Sequence, residues 1–118
     1  MLNKANISSE RKQLIIYLFL IVATFAVYWQ VNEFDFITFD DQAYVTENLN
    51  IQSGITLKSI GWSFTTKYFG LWNPLVWLSF MADYELFGLK AGGYHLTNLI
   101  FHILSTLLLF WLFHRMTR

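Results

Sequence analysis

Two adjacent carboxylates, Asp40 and Asp41, stand among Phe36, Phe39 and Tyr44 a short way beyond a long apolar stretch. Acids held near a membrane surface in an aromatic setting can bind a divalent ion or take a proton from a hydroxyl nucleophile. Withdrawal from water also raises a carboxylate's pKa toward a range useful for proton transfer. The same dipeptide equally describes a solvated acidic turn in which Asp40 caps a helix. Further along, His95 and His102 are seven residues apart with Asn98 between them. On a helix that spacing puts both rings on one side, where they either line a polar pocket or hydrogen-bond to a neighbouring helix. Asp83 and Glu85 share a third segment, either as members of a site or as its wet edge. His114, Ser105 and Thr106 read as interfacial and helix-packing groups.

Long apolar segments position these groups. No charged side chain occurs from Gln13 to Asn32, and a helix over Leu14–Val31 would be about 27 Å long, close to the hydrocarbon thickness of a bilayer. Tyr28 and Trp29 fall at its end, where amphipathic rings prefer the headgroup level. A second uncharged stretch runs from Ala91 to Phe113. Between the two, Lys58, Lys67, Asp83 and Glu85 interrupt every window long enough to span. The expected class is an all-α membrane protein: two transmembrane helices, at 13–31 and 96–113, joined by an external loop with short interfacial helices. Cleavage of the first span as a signal peptide is disfavoured, because its apolar run is too long and no small-x-small site follows it. An uncleaved signal anchor fits better.

Composition agrees. Apolar residues make up 55% of the 118-residue chain and charged residues 14%, below the roughly 25% of soluble domains. A small soluble fold buries too little of its surface to hide so much apolar area, so the lipid bilayer is the expected partner. No cysteine is present, which excludes disulfides, thiolate zinc sites and thiol catalysis. The net charge of zero argues against nucleic acid, but the charge is segregated. Lys4, Arg11 and Lys12 precede the first span and Arg115 and Arg118 follow the second, whereas seven acids crowd the loop: Glu33, Asp35, Asp40, Asp41, Glu47, Asp83 and Glu85. By the positive-inside rule, 1–12 and 114–118 are cytoplasmic and 32–95 lies on the periplasmic or lumenal side. The sequon Asn6-Ile7-Ser8 then faces away from glycosylation. The membrane expected is a bacterial inner membrane rather than the endoplasmic reticulum.

The loop holds too many aromatic residues for a disordered connector. Its first part, Glu33–Ile51, starts extended and passes through Asp40-Asp41 into a turn or short helix. Residues 56–66 suit a short helix with Leu57, Ile60 and Phe64 on one side. Residues 74–87 are the best defined, with Asn73 as N-cap, Pro74 at the first helical position and Gly88 as a left-handed stop. That helix is apolar nearly all round and suits the membrane interface or other transmembrane helices. Gly92-Gly93 then gives the chain a turn into the second span.

Taken in order, Phe39-Asp-Asp-Gln-Ala-Tyr-Val-Thr-Glu-Asn48, Trp72-Asn-Pro-Leu-Val-Trp-Leu-Ser79, Leu86-Phe-Gly88 and Tyr94-His-Leu-Thr-Asn98 resemble the N-terminal part of GT-C glycosyltransferases. The nearest resemblance is to tetratricopeptide-repeat proteins similar to protein O-mannosyltransferases, over about Ile37 to Thr117. The resemblance implies an acidic motif in the first external loop, surface-lying helices, and a sugar donor carried on a polyprenyl phosphate. It makes Asp40 and Asp41 the catalytic candidates, one as general base or both toward a divalent cation. It makes Asn73, Asp83 and His95 candidates for substrate contact, although Asn73 stands where relatives often carry His. Such enzymes have many more spans, so the chain reads as an incomplete module, inactive alone, that works with further transmembrane helices. The rival reading is a small two-span protein acting as a binding or assembly subunit, with the acidic pair structural.

Overall fold

The structure, a computed structural model, describes residues 4–117; Arg118 lies outside them, as do the side chains of Lys4 and Asn6. Among the described residues every regular element is helical. The α-helices are α1 (Lys4–Tyr28), α2 (Leu49–Gln52), α3 (Leu57–Thr65), α4 (Pro74–Phe87) and α5 (Ala91–Met116). Single 3-10 turns lie at Trp29–Glu33 and Tyr68–Gly70, and a π-turn lies at Gln42–Thr46. The chain forms two compact units, one of residues up to 30 together with those from 98 onward, the other of residues 31–97.

The first unit is made of α1 and the distal part of α5. Ile7–Glu33 (27 residues) and Ala91–Met116 (26 residues) are both long and apolar enough to cross a membrane. Burial within the protein covers 0% and 6% of their most apolar stretches, so neither is the core helix of a soluble domain. From Leu14 to Tyr28, α1 carries apolar side chains on nearly every side, the pattern of a helix solvated by lipid. The two helices meet through Tyr17 on Phe110, edge to face at 5.0 Å, and Tyr28 on His102 at 5.3 Å. Ser105 and Thr106 donate to the carbonyls of Phe101 and His102, the usual way a hydroxyl is satisfied in an apolar helix. The Arg115 guanidinium lies 5.5 Å from the Trp111 ring, which shields its charge near a helix end.

The second unit has a small aromatic core of Val45, Ile51, Trp77, Met81 and Tyr94. α4 is its central helix and packs against α2 and α3. Its bounds match the expected 74–87, yet Asn73 marks the start by position alone: its side chain makes no capping hydrogen bond. At the other end Gly88 adopts φ 61°, ψ −126°, a positive-φ conformation outside the left-handed helical well and open in practice only to glycine. Phe69 also has positive φ (53°), with its ring against Tyr44 and Tyr68.

The elements are refined and one expectation, for Gly92-Gly93, is corrected. α3 is present, is closed by a capping box between Thr56 and Ser59, and turns its serine side inward. Ser59 and Ser63 are buried, whereas Leu57 is 91% and Phe64 49% exposed. The serine hydroxyls satisfy carbonyls of Gly54 and Ile60, so this small face lets α3 approach α4 closely. Gly92 and Gly93 do not turn the chain; they lie inside α5, which begins at Ala91 rather than 96. A Cβ on Gly92 would overlap the Asn32 carbonyl oxygen, and one on Gly93 would overlap the Phe87 ring. These glycines serve close approach, not chain reversal. At the N-terminus, α1 reaches back to Lys4, so the helix extends beyond the apolar stretch that begins at 13.

Candidate functional site

The acidic pair opens one helical turn that runs directly into the π-turn. The Ile37 N–H donates to Asp41 Oδ2 at 2.8 Å, folding residues 37–41 back on themselves. Asp41 therefore has a structural task. Asp40 is exposed, and its carboxylate has no partner among the described residues. Gln52 braces the far side of the turn by donating to the carbonyls of Val45 and Thr46 at 3.1 and 2.7 Å. Asn48 is buried at the junction; its Oδ1 accepts from the Asn50 N–H, and its Nδ2 has no partner among the described residues. The result is a braced turn presenting one carboxylate to solvent.

A divalent ion fits this turn poorly. Such an ion takes about six or more oxygen ligands, and one oxygen of Asp41 is already engaged by Ile37. No group of three His, Cys, Asp or Glu side chains is gathered for a metal among the described residues.

Among the described residues no hydrogen bond or ion pair joins Asp40 or Asp41 to Asn73, Asp83 or His95. Asn73 lines a hollow of about 430 Å³ with Phe64, Trp72, Pro74, Leu75 and Val76, beside the Trp72 indole N–H, which donates to the Phe64 carbonyl at 2.8 Å. His95 Nε2 lies 3.4 Å from the Asp35 carbonyl oxygen. His102 instead packs on Tyr28, so the two histidines serve separate contacts.

Asp83 is 4% exposed and receives the Thr97 hydroxyl at 2.6 Å. Burial without a cation pushes its carboxyl above the usual carboxylate range, and the Thr97 hydrogen bond opposes this only in part. A folded-state pKa above the unfolded value means that stability from this group is complete at acid pH and lost as pH rises through the folded pKa. The loop unit should therefore become less stable on going from acid to neutral pH. Asp83→Asn keeps an acceptor for Thr97 and removes the charge, so it should raise the neutral-pH melting temperature and flatten the profile. Thermal unfolding in nanodiscs across this pH range checks it; an unchanged slope in the variant would assign the pH dependence elsewhere.

Glu85, expected at a wet edge, has a specific partner: its Oε1 accepts from the Ile55 N–H at 2.8 Å and lies against Gly54. Gly54 has φ 70°, and a Cβ there would meet Glu85 Oε1 at 2.7 Å. Sequence reasoning missed this latch and the Thr97 partner of Asp83. The only signal for either was Gly54 between two short helices and a threonine within Tyr94-His-Leu-Thr-Asn98.

Fold and site together define an all-helical protein with two helices able to span a membrane and an aromatic-cored unit between them. Comparisons with protein families, with curated proteins and with solved structures give no match.

Proposed function

We propose that the chain is the N-terminal membrane module of a glycosyltransferase that takes its sugar from a polyprenyl phosphate and works with further transmembrane helices. The observation that carries this reading is the free Asp40 carboxylate on a braced turn, within the ordered run of motifs that resembles GT-C enzymes. Asp40 is the general base toward the acceptor hydroxyl, and Asp41 is a positioning residue that holds the turn through Ile37. Asn73 and His95 belong to the donor or acceptor path, and no step requires a resident metal. The test is sugar transfer from a polyprenyl-phosphate donor in membranes, with the further spans supplied, for Asp40→Asn and Asp41→Asn.

A second reading, a two-span binding or assembly subunit, is favoured by one observation: Asp41 is tied to its own backbone, as in a purely structural turn. It predicts that both variants leave transfer by the assembled system unchanged.

In either case the termini face the cytoplasm and residues 31–97 lie across the membrane, following the basic residues at the ends. The cysteine-free chain makes this directly measurable. Ser53→Cys should react with a membrane-impermeant maleimide in intact cells, and Ser8→Cys only after permeabilisation. The opposite pattern reverses the topology and removes Asp40 from the compartment this function requires.

A further inference from the structure

The packing of α3 through its serine side leaves an apolar surface exposed among the described residues. Successive residues on an α-helix are separated by about 100°. With Ser59 and Ser63 turned inward, Leu57, Gly61 and Phe64 share the outward side, and Lys58 lies at its edge. The segment that follows continues the surface: Phe69 is 64%, Trp72 59% and Leu75 75% exposed. Phe64, Trp72 and Leu75 also line the hollow of about 430 Å³ at the start of α4. Single exposed apolar residues need no explanation, but a contiguous run of this kind marks a binding surface.

Charge identifies the occupant. The loop is acidic as a whole, yet no acid occurs between Glu47 and Asp83, and the only charged residues in that interval are Lys58 and Lys67. These lysines are interspersed among the exposed apolar residues. Lysine stems lie along apolar surface while their ammonium groups reach outward, the arrangement that fits a headgroup layer above acyl chains. The bilayer is within reach, because residues 31–97 are joined directly to membrane-crossing segments at both ends.

We propose that residues 56–76 form a membrane-docking surface selective for anionic phospholipid. Leu57, Phe64, Trp72 and Leu75 enter the leaflet, and Lys58 and Lys67 bind lipid phosphates at the headgroup level. The hollow beside Asn73 receives the upper part of an acyl chain. The lipid contacts of this surface do not involve the acidic turn.

The test uses nitroxide labels on the full chain at Leu57→Cys and Leu75→Cys, with Ser53→Cys as a reference outside the surface. The protein is reconstituted in phosphatidylcholine alone and in phosphatidylcholine with one quarter phosphatidylglycerol. Labels at 57 and 75 are expected to be accessible to oxygen and protected from a water-soluble nickel chelate, and to shift deeper in the anionic bilayer. Lys58→Gln/Lys67→Gln, both at exposed positions, should abolish that shift without unfolding the unit. Labels open to nickel in both bilayers overturn the docking surface. Labels shielded from both oxygen and nickel overturn it in favour of coverage by protein. Equal immersion in the two bilayers overturns the selection for anionic lipid.

Discussion

Trp77→Ala is expected to be the most damaging single substitution in the loop unit, costing about 3–5 kcal/mol, the range for deleting a large buried aromatic side chain. Trp77 is 2% exposed and its ring meets Tyr44, Trp62, Tyr68 and Phe80 at centroid distances of 5.3, 5.6, 5.7 and 6.2 Å. These neighbours come from the π-turn, α3, the 3-10 turn and α4, so one cavity would loosen the packing of all four. The indole N–H is buried and has no partner among the described residues, an uncommon burden for so central a residue. Trp77→Phe should therefore cost under about 1.5 kcal/mol, because it keeps most of the volume and removes the orphaned donor. Denaturant unfolding of the chain in nanodiscs, followed by near-UV circular dichroism, separates the two variants. If Phe and Ala are equally destabilising, the N–H has a partner in the membrane-bound protein and the polar group matters more than the packing.

The second large effect concerns activity. Removing a general base costs about 10²- to 10⁴-fold in rate, and Asp40→Asn should lower sugar transfer by that factor. Expression and insertion should hold, because the Asp40 carboxylate is exposed and unpartnered among the described residues. Asp41→Asn should behave differently. The amide oxygen can still accept from the Ile37 N–H, so the turn persists and transfer falls only modestly. Asp41→Ala loses the acceptor, and the affected hydrogen bond is worth about 0.5–1.5 kcal/mol. The two residues are thus separable by variant type as well as by position. A large loss in Asp41→Asn with normal Asp40→Asn exchanges their roles. Normal transfer in both leaves only the structural turn, and the subunit reading then replaces the transferase reading.

What the sequence made legible depended on backbone signals. Asn73-Pro74 and Gly88 bound α4 correctly because proline and positive-φ glycine act on the chain itself, whatever surrounds it. The two long apolar helices were equally plain, since length and missing charge need no tertiary context. Packing direction was less accessible. Leu57, Ile60 and Phe64 form a stripe that would face the core of a protein in water, yet α3 turns Ser59 and Ser63 inward. Apolar periodicity locates a face but not the solvent it meets. A Gly-Gly pair is likewise ambiguous between a turn and a close approach, and only the position of the Asn32 carbonyl decides for Gly92. For the candidate site, the turn at Asp40-Asp41 was legible from composition. The division of labour within it depends on one hydrogen bond from Ile37, which no spacing rule encodes.

Tyr94 belongs to the aromatic core of residues 31–97 but lies in the first turn of α5, and its hydroxyl closes onto the Gly88 carbonyl at 2.8 Å. Its ring meets Phe36, and the neighbouring His95 meets the Asp35 carbonyl, across about sixty residues of chain. During synthesis from the N-terminus, the last piece of this core emerges together with the helix that leads into the second apolar segment. The rings around Trp77 all precede Tyr94, so they can gather first, but Phe36 and Phe80 wait for their Tyr94 partner until that segment is made. Closure of this core is thereby timed to synthesis of α5, and a ribosome stalled before Tyr94 would leave it open on the Phe36 side.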